Sequence, residues 1–401
     1  MGWLLALVAC TEAPIQGAEG ESPSATPPPD VSPESVGGDS SPGVPADGDA
    51  TAYVALFDTR VLHAVRLETS RAAREALAGA PETEVEVDIE VDGVRLEGVG
   101  LHLRAGDSLA TGKPGLRMDL DAFAPEQRLA GLEHLRLSAT SSDPSQLRGV
   151  LASELLAALV IPSPRGAFAW VTLDDEALGL YVLEERVDGD FLGRGWTDDS
   201  GDLWEGASGA DLRQPGIERY ARVHGDGRGG RVVLRRAAAA LVDPARDVVP
   251  AAEEVLDLDQ WMGAWGAAIA LRHGGAYPWD TGHDVLYVDP ADGRLDTITV
   301  DWDRAWDSSF TWREVRTQVG ARCVADSACR DRLREAARAS IDAVEALDPV
   351  ARAQALVALT ADAVRADPRR SASAESVEAA REVLLTELAG AAEAARGDLG
   401  R

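Results

Sequence analysis

Three aspartates in the second half of the chain are spaced so that they could bind a metal ion. Asp280 precedes an apolar run at 285–288, and Asp301 and Asp303 follow a second apolar run at 297–300. Turn-forming residues between the two runs predict a β-hairpin, which returns its second strand to the start of the first. We therefore expect the three carboxylates to lie near one another, with Asp301 and Asp303 on one face of the second strand.

Such a cluster of carboxylates is costly unless a cation neutralises it. Oxygen ligands suit Mg²⁺ or Mn²⁺, and the phosphate groups of a substrate commonly complete the coordination shell. The alternative is that these residues are surface carboxylates in turns, because the chain has 68 acidic residues in total. The spacing favours neither interpretation.

Other kinds of chemistry find less support. The six histidines lack HExxH spacing, and the sequence contains no Gly-x-Ser-x-Gly elbow, P-loop, HRD or DFG motif. The net charge of −29 argues against nucleic acid as a partner, because phosphate backbones are bound by Lys and Arg. Only one of the 39 basic residues, Lys113, is a lysine.

Hydrophobic periodicity predicts an α+β fold. Alternating runs, typical of strands in an antiparallel sheet, dominate residues 51–200, whereas helical spacing dominates from about residue 230 onward. The predicted strands lie at 83–89, 94–103, 116–120, 168–173 and 178–183, and the predicted helices at 147–160, 235–242, 256–272 and within 330–396. A sheet-rich part at about 51–200 would thus precede a mainly helical part at about 201–400.

The N-terminus resembles an export signal. Residues 1–10 are mostly apolar and end in Leu-Val-Ala-Cys, which looks like a bacterial lipobox with Cys10 as the lipidated residue. Residues 11–50 are rich in Pro, Gly and acidic residues, which is typical of a disordered tether. We therefore expect an exported protein, attached to the bacterial cell envelope only through a lipid, with its folded domain at 51–400. The alternative is that the apolar start arose by chance.

Two cysteines remain if Cys10 carries lipid. Cys323 and Cys329 lie six positions apart, and in an exported protein they are expected to form a disulfide. Zinc binding is less well supported, because no neighbouring His or second Cys pair completes a four-ligand set. A free thiol is the third alternative.

The sequence resembles the spore coat protein H (CotH) kinase family, which comprises atypical protein kinases, over roughly residues 53–385. The resemblance rests on motifs that occur in the family's order. They are Leu56–Asp58, Val99–Arg104, Gly112–Arg117, Gly131–Leu137, Asp143–Arg148, Ile161–Arg165, Gly179–Glu185, Asp202–Gly206, Asp280 with Tyr287, and Asp301–Asp303.

The resemblance implies a two-lobed, atypical protein-kinase-like fold with an antiparallel-sheet-rich N-lobe and a mainly helical C-lobe. It implies transfer of phosphate from ATP, with Mg²⁺ or Mn²⁺, to Ser or Thr of surface or secreted proteins. The implied residues are Asp280 as the catalytic aspartate, Lys113, Arg104 and Glu185 at the nucleotide, and Asp303, Asp301 and His283 at the metal. Glu185 would pair with Lys113, line the nucleotide pocket or have a structural role at the surface.

The chain also departs from the family pattern. His283 occupies the place of an Asn that binds metal, and the neighbouring Asp284 could substitute for it. Ala105 and Gly115 replace a Gly and a Ser near the phosphate loop. A catalytically inactive surface protein with the same fold is therefore one alternative. A metal-dependent phosphoester hydrolase that uses the same carboxylates is another.

Overall fold

The first half of the folded chain is built around a closed β-barrel. The computed structural model describes residues 47–110, 112–282 and 284–400. In this part of the chain the barrel strands run in the order β1-β2-β3-β4-β5-β7-β6. They are β1 (His63–Thr69), β2 (Val85–Val91), β3 (Val94–Leu103), β4 (Leu116–Asp119), β5 (His134–Ser138), β6 (Gly166–Leu173) and β7 (Glu176–Glu185). Neighbouring strands are antiparallel except for β1 and β6, whose parallel pairing closes the barrel.

Alternation of apolar and polar residues determines which side chains fill the barrel. On β2 the buried residues are Val85, Val87, Ile89 and Val91, and the residues between them face outward. The β2–β3 hairpin turns at Asp92 and Gly93, which both have positive φ, as a two-residue hairpin of this type requires. The alternating pattern of the sequence therefore predicts both strands and their turn correctly.

A second, smaller sheet and most of the helices form the remainder. The sheet has the order β11-β10-β8-β9, with β8 (Leu203–Gly206), β9 (Tyr220–His224), β10 (Val285–Val288) and β11 (Leu295–Ile298). The helices are α1 (Asp47–Leu56), α2 (Arg71–Gly79), α3 (Arg148–Ala158), α4 (Gly189–Gly195), α5 (Val232–Val242), α6 (Val248–Glu253), α7 (Leu258–Ala270), α8 (Gln318–Ala325), α9 (Ser327–Ala346), α10 (Pro349–Ala366) and α11 (Ala374–Gly400). The α+β class predicted from the sequence is confirmed.

The apolar residues form a barrel core and a larger core between the helices. Tyr181, Leu67 and Leu101 are buried inside the barrel, whereas Trp261 and Trp265 of α7 lie at the centre of the helical core. Helices α7 and α9 approach each other closely at Gly266, where a Cβ would lie only 2.8 Å from backbone atoms of Ala336. The absence of a side chain at Gly266 therefore allows this approach. These two cores fix the elements on which the predicted site residues are carried.

Helix α3 begins within one residue of the predicted start at 147. The buried carboxylate of Asp143 accepts the backbone N–H groups of Ser145 at 2.9 Å and Arg148 at 2.8 Å. Asp143 thus satisfies the first exposed amide of the helix, as N-terminal capping residues do.

The helical run predicted within 330–396 is divided into three helices, α9, α10 and α11. No helix in the described parts of the chain is both long enough and apolar enough to cross a bilayer.

Candidate functional site

The turn after β11 carries Asp301 and Asp303, but not in the predicted conformation. The sequence placed both residues on one face of a strand at 297–300, whereas β11 ends at Ile298. Asp301 has a φ of 59°, in the left-handed region, and Trp302–Arg304 form a 3₁₀ turn. The prediction that Asp301 and Asp303 share one face of a strand is therefore wrong. The strand ends three residues before Asp301, and Asp301 itself adopts a left-handed backbone conformation.

Trp302 anchors this turn in the protein interior. Its ring packs on the ring of His273, with the centroids 4.5 Å apart, and both side chains are buried. Burial lowers the pKa of His273 to about 4, so the imidazole is neutral at physiological pH. A buried aromatic pair therefore fixes the turn on which the two carboxylates lie.

The barrel faces the same turn with a carboxylate of its own. Ser142, in the loop after β5, donates a hydrogen bond to the Asp303 carboxylate. The pKa of Glu184 on β7 is raised to about 7, chiefly by burial and also by the negative charges of Asp301 and Asp303, although Arg136 on β5 opposes the rise. Glu184 is partly exposed. The surface between Glu184 and the turn with Asp301 and Asp303 is called the cleft below.

A row of polar side chains crosses the outside of the barrel at Glu184. The strand registers pair His102 with Arg117, Arg117 with Arg136, and Arg136 with Glu184. Directly paired residues of neighbouring strands project from the same face of a sheet, so this row presents two adjacent guanidinium groups. Burial lowers the pKa of Arg117, and the positive charge of Arg136 lowers it further.

The predicted catalytic residue, Asp280, lies beside the turn that holds Asp303. Its carboxylate is 3.7 Å from Nη1 of Arg304 and 3.3 Å from Nη1 of Arg316, and it accepts the backbone N–H of Thr281 at 2.9 Å. Two arginines and a backbone amide therefore orient the Asp280 carboxylate. Arg304 is the link between Asp280 and the neighbouring Asp303.

The next acidic residue along the chain, Asp284, is buried at the start of β10. It accepts the hydroxyl of Tyr220 at 2.7 Å. A second buried carboxylate, Asp211, accepts the hydroxyl of Tyr277 at 3.0 Å. Burial raises the pKa of Tyr220 and Tyr277, and the negative charges of Asp284 and Asp211 raise it further. The predicted metal ligand His283 lies outside the described residues. Nothing in the sequence indicated the role of Asp211.

Lys113, the only lysine of the chain, is engaged away from this cleft. Its ammonium donates to the Asp367 carboxylate at 2.6 Å and to the carbonyl oxygen of Leu180, and it lies 4.6 Å from the centroid of the Tyr181 ring. Both side chains of the ion pair are almost completely buried, and burial lowers the pKa of Lys113, which the charge of Asp367 opposes. Sequence reasoning missed Asp367, which follows α10 and lies 254 residues from Lys113.

A glycine allows this ion pair to form. Gly179 has a φ of 103°, and a Cβ there would lie 2.0 Å from Oδ1 of Asp367. The backbone N–H of Leu180 then donates to the same carboxylate at 3.1 Å. Gly179 therefore has to be glycine for Asp367 to reach Lys113.

The other two predicted nucleotide-binding residues have different surroundings. Glu185 is buried and accepts the hydroxyl of Tyr53 at 2.8 Å and the backbone N–H of Arg165 at 3.1 Å, and it also contacts Arg194. The pairing of Glu185 with Lys113 is therefore wrong. Distance along β7 explains the difference, because Lys113 contacts Leu180 and Tyr181, four to five residues before Glu185, and a strand rises about 3.3 Å per residue. Arg104 is exposed directly after β3.

The donor set of the cleft fits Mg²⁺ or Mn²⁺ only with help from a substrate. No group of three or more His, Cys, Asp or Glu among the described residues is close enough to surround a metal ion. Mg²⁺ commonly uses one or two carboxylates together with phosphate oxygens and water, and Asp301 and Asp303 would supply these carboxylates. A groove of about 500 Å³ between α7 and α9 contains none of the predicted site residues.

The predicted disulfide is present. Cys323 at the end of α8 and Cys329 in the first turn of α9 are bonded, and both are buried. The bond therefore ties two consecutive helices together at the edge of the helical core. The cysteine predicted to carry lipid, Cys10, lies outside the described residues.

One family model matches part of this chain. The model of a family described as CotH kinase protein matches residues 105–223, a little under a third of the chain. The family predicted from the sequence is thereby confirmed for this segment, and the match runs from the loop after β3 to the end of β9. The CotH segment thus contains Lys113, Arg117, Arg136 and Glu184, whereas Asp280, Asp301 and Asp303 follow it.

The other comparisons add little. No curated protein matches this chain. One solved structure with 12% sequence identity is titled as the Shewanella oneidensis MR-1 toxin–antitoxin system HipA, HipB and its operator DNA complex. The alignment covers 64% of this chain and 57% of that chain, with a TM-score of 0.29. That similarity is too low to support an argument about this protein.

Proposed function

We propose that this protein is an ATP-dependent protein kinase of the CotH family that phosphorylates Ser or Thr of surface or secreted proteins. The observation that supports it best is the cleft where Asp301 and Asp303 face Glu184 and Arg136. It combines carboxylates with a cation, which phosphoryl transfer needs. Family membership supports kinase chemistry in general, and the protein substrate and the transfer from ATP are part of the proposal.

Asp301 and Asp303 would hold the metal ion in this proposal. Mg²⁺ or Mn²⁺, when bound, would neutralise charge on the transferred phosphoryl group. The buried Trp302 between these two residues keeps their backbone in place. Ser142 restrains the Asp303 side chain from the barrel side.

Asp280 would act on the substrate hydroxyl. The hydroxyl oxygen forms a bond to the γ-phosphorus, the bond between that phosphorus and the β,γ-bridging oxygen breaks, and ADP leaves. The carboxylate of Asp280 accepts the proton of the hydroxyl. Arg304 and Arg316 orient this carboxylate before the substrate binds.

The proposal also includes the two lobes and the cellular location. The barrel would serve as the N-lobe and the helical part as the C-lobe, with the nucleotide between Glu184 and Asp303. A lipid on Cys10 and a tether at 11–50 would hold this domain at the bacterial cell envelope. The disulfide between Cys323 and Cys329 supports an oxidising compartment, where such bonds persist.

Thermal unfolding of the full chain with ATP and Mn²⁺ tests nucleotide binding. A ligand at 100 times its Kd stabilises the native state by about 2.7 kcal/mol, so the wild type should melt several degrees higher with both additions than with either alone. Asp303→Asn should lose this shift, whereas Asp331→Asn, at an exposed position on α9, should keep it. No shift in the wild type, or an equal shift in Asp303→Asn, would contradict the proposed site.

A non-catalytic binding protein is the second candidate. The observation that favours it is the ion pair between Lys113 and Asp367, which keeps the ammonium away from the cleft. This candidate predicts binding of ATP with Mn²⁺ but no transfer of a labelled γ-phosphate to any protein. Transfer that depends on Asp280 would exclude it.

A further inference from the structure

We propose that Arg117 and Arg136 form the binding site for the polyphosphate of a nucleoside triphosphate. The family resemblance gives that role to Lys113. That the ligand is a nucleoside triphosphate rests on the proposed function. That the two arginines form an anion site does not depend on the proposed function.

The two arginines are direct neighbours across a pair of strands. Arg117 on β4 is paired with Arg136 on β5 in the antiparallel register. Residues in such a pair have their Cβ atoms about 5 Å apart, and like charges there destabilise the sheet. The lowered pKa of Arg117 agrees with this proximity.

Neither arginine has a carboxylate partner at short range. Within the described residues, no Asp or Glu oxygen lies within 4.0 Å of the guanidinium nitrogens of Arg117 or Arg136. Glu205 acts on Arg117, and Glu184 interacts with Arg136, only at longer range. Most other arginines form short ion pairs, as Arg74 does with Asp174 and Glu176. In a chain with 68 acidic residues, two adjacent arginines without such partners indicate an anion site.

The chemistry of the pair suits a chain of phosphates. A guanidinium presents a planar fork of N–H donors that binds two phosphate oxygens at once, and two neighbouring forks can bind successive phosphate groups. A triphosphate would also relieve the repulsion between the two arginines. A single carboxylate or phosphate would neutralise only part of their charge.

The two arginines lie near the carboxylates of the cleft. Arg136 is paired with Glu184, and the charges of Asp301 and Asp303 act on Glu184. Phosphates bound by the arginines would therefore have the metal-binding aspartates nearby on the opposite wall. Lys113 lies four residues before Arg117, and its ammonium is buried against Asp367.

Binding of inorganic tripolyphosphate and of ATP with Mn²⁺ to the full chain, measured by calorimetry, tests the inference. The double variant Arg117→Gln/Arg136→Gln should lose affinity for both probes by at least roughly tenfold, because the charge-assisted hydrogen bonds of both guanidinium groups to phosphate are lost. The matched control is Arg60→Gln/Arg71→Gln, which removes two exposed positive charges elsewhere and should bind like the wild type. Chemical unfolding should show that the site variant is as stable as the wild type.

The outcomes separate this inference from the proposed kinase function. Tripolyphosphate binding that depends on the two arginines, without phosphate transfer from ATP, would support the anion site and contradict the kinase. Transfer by the wild type that persists in the double variant would overturn the inference and leave the kinase intact. Equal binding by the site variant and the control, or no binding of tripolyphosphate to the wild type, would also overturn it.

Discussion

Lys113 and Asp367 form an ion pair whose two side chains are almost completely buried. Lys113 is the only lysine of the chain. Its partner lies 254 positions away, and only the folded chain brings the two residues together.

Substitution of Lys113 should destabilise the fold. Lys113→Met leaves the Asp367 carboxylate buried without its cation, and breaking a buried ion pair typically costs about 3–5 kcal/mol. We expect the free energy of unfolding in urea to fall by that amount. Arg71→Met, which removes an exposed charge on α2, should change it by less than about 0.5 kcal/mol.

A second variant tests whether the lost pairing causes this effect. Lys113→Met/Asp367→Asn removes both charges and keeps an oxygen that accepts the backbone N–H of Leu180, so it should recover much of the lost stability. If Lys113→Met is as stable as the Arg71→Met control, the ammonium is not buried against Asp367 in solution.

Asp296 on β11 should make stability depend on pH. Its pKa is raised to about 7, chiefly by burial and also by the nearby charges of Asp257, Asp289 and Asp292, although a hydrogen bond from Trp196 opposes the rise. The unfolded chain releases this proton near the ordinary pKa of 3.8. The stability that the neutral group contributes is therefore lost as pH rises between these two values, by up to about 4 kcal/mol.

Asp296→Asn removes that titration and keeps an oxygen for Trp196. The variant should be more stable than the wild type at pH 8, and the difference should shrink as the pH is lowered to 5. Urea unfolding of both proteins at the two pH values measures this. A wild type that is more stable than the variant at pH 8 would contradict the prediction.

At the scale of elements, alternation and turn residues were the informative signals. They located β2, β3 and the Asp92–Gly93 turn, because local sequence determines these features. They did not reveal β1, β5, β8 or β9. Pairing of β1 with β6 joins strands that are far apart in sequence, so no local pattern indicates that the barrel closes. The turn at Asp301 was missed because its left-handed conformation is imposed by the buried Trp302.

The disulfide between α8 and α9 should stabilise the helical part. Cys323→Ala/Cys329→Ala removes a bond that restricts the unfolded chain, and a native disulfide typically contributes about 2–4 kcal/mol. We expect a loss within that range in the free energy of unfolding measured without reductant. Dithiothreitol should lower the stability of the wild type and leave the variant unchanged. Equal sensitivity of both proteins to the reductant would show that the bond does not form.

At the scale of the whole molecule, the proposed lipid anchor predicts where the chain is found. Expressed in a bacterium supplied with radioactive palmitate, the full chain should become labelled and fractionate with membranes. Cys10→Ser should abolish both, because Cys10 is the proposed attachment site. Cys323→Ser/Cys329→Ser is the matched control and should stay labelled. Labelling of the Cys10→Ser variant would contradict the anchor.

One contact joins the barrel to a turn that follows the segment matched by the CotH family model. The CotH match ends at residue 223, so Asp280 and Asp303 lie outside the matched segment. In the structure Asp303 contacts Ser142 of the matched segment, and its charge acts on Glu184. This contact supports a functional link between the two parts.

Transfer of the γ-phosphate from labelled ATP is the most direct test of the proposed kinase. The full chain should incorporate label into itself or into envelope proteins when Mn²⁺ is present, at serine or threonine. Asp280→Asn and Asp303→Asn should each reduce incorporation at least roughly a hundredfold, and the exposed control Asp331→Asn should match the wild type. No incorporation by the wild type, or equal incorporation by Asp280→Asn, would contradict the account.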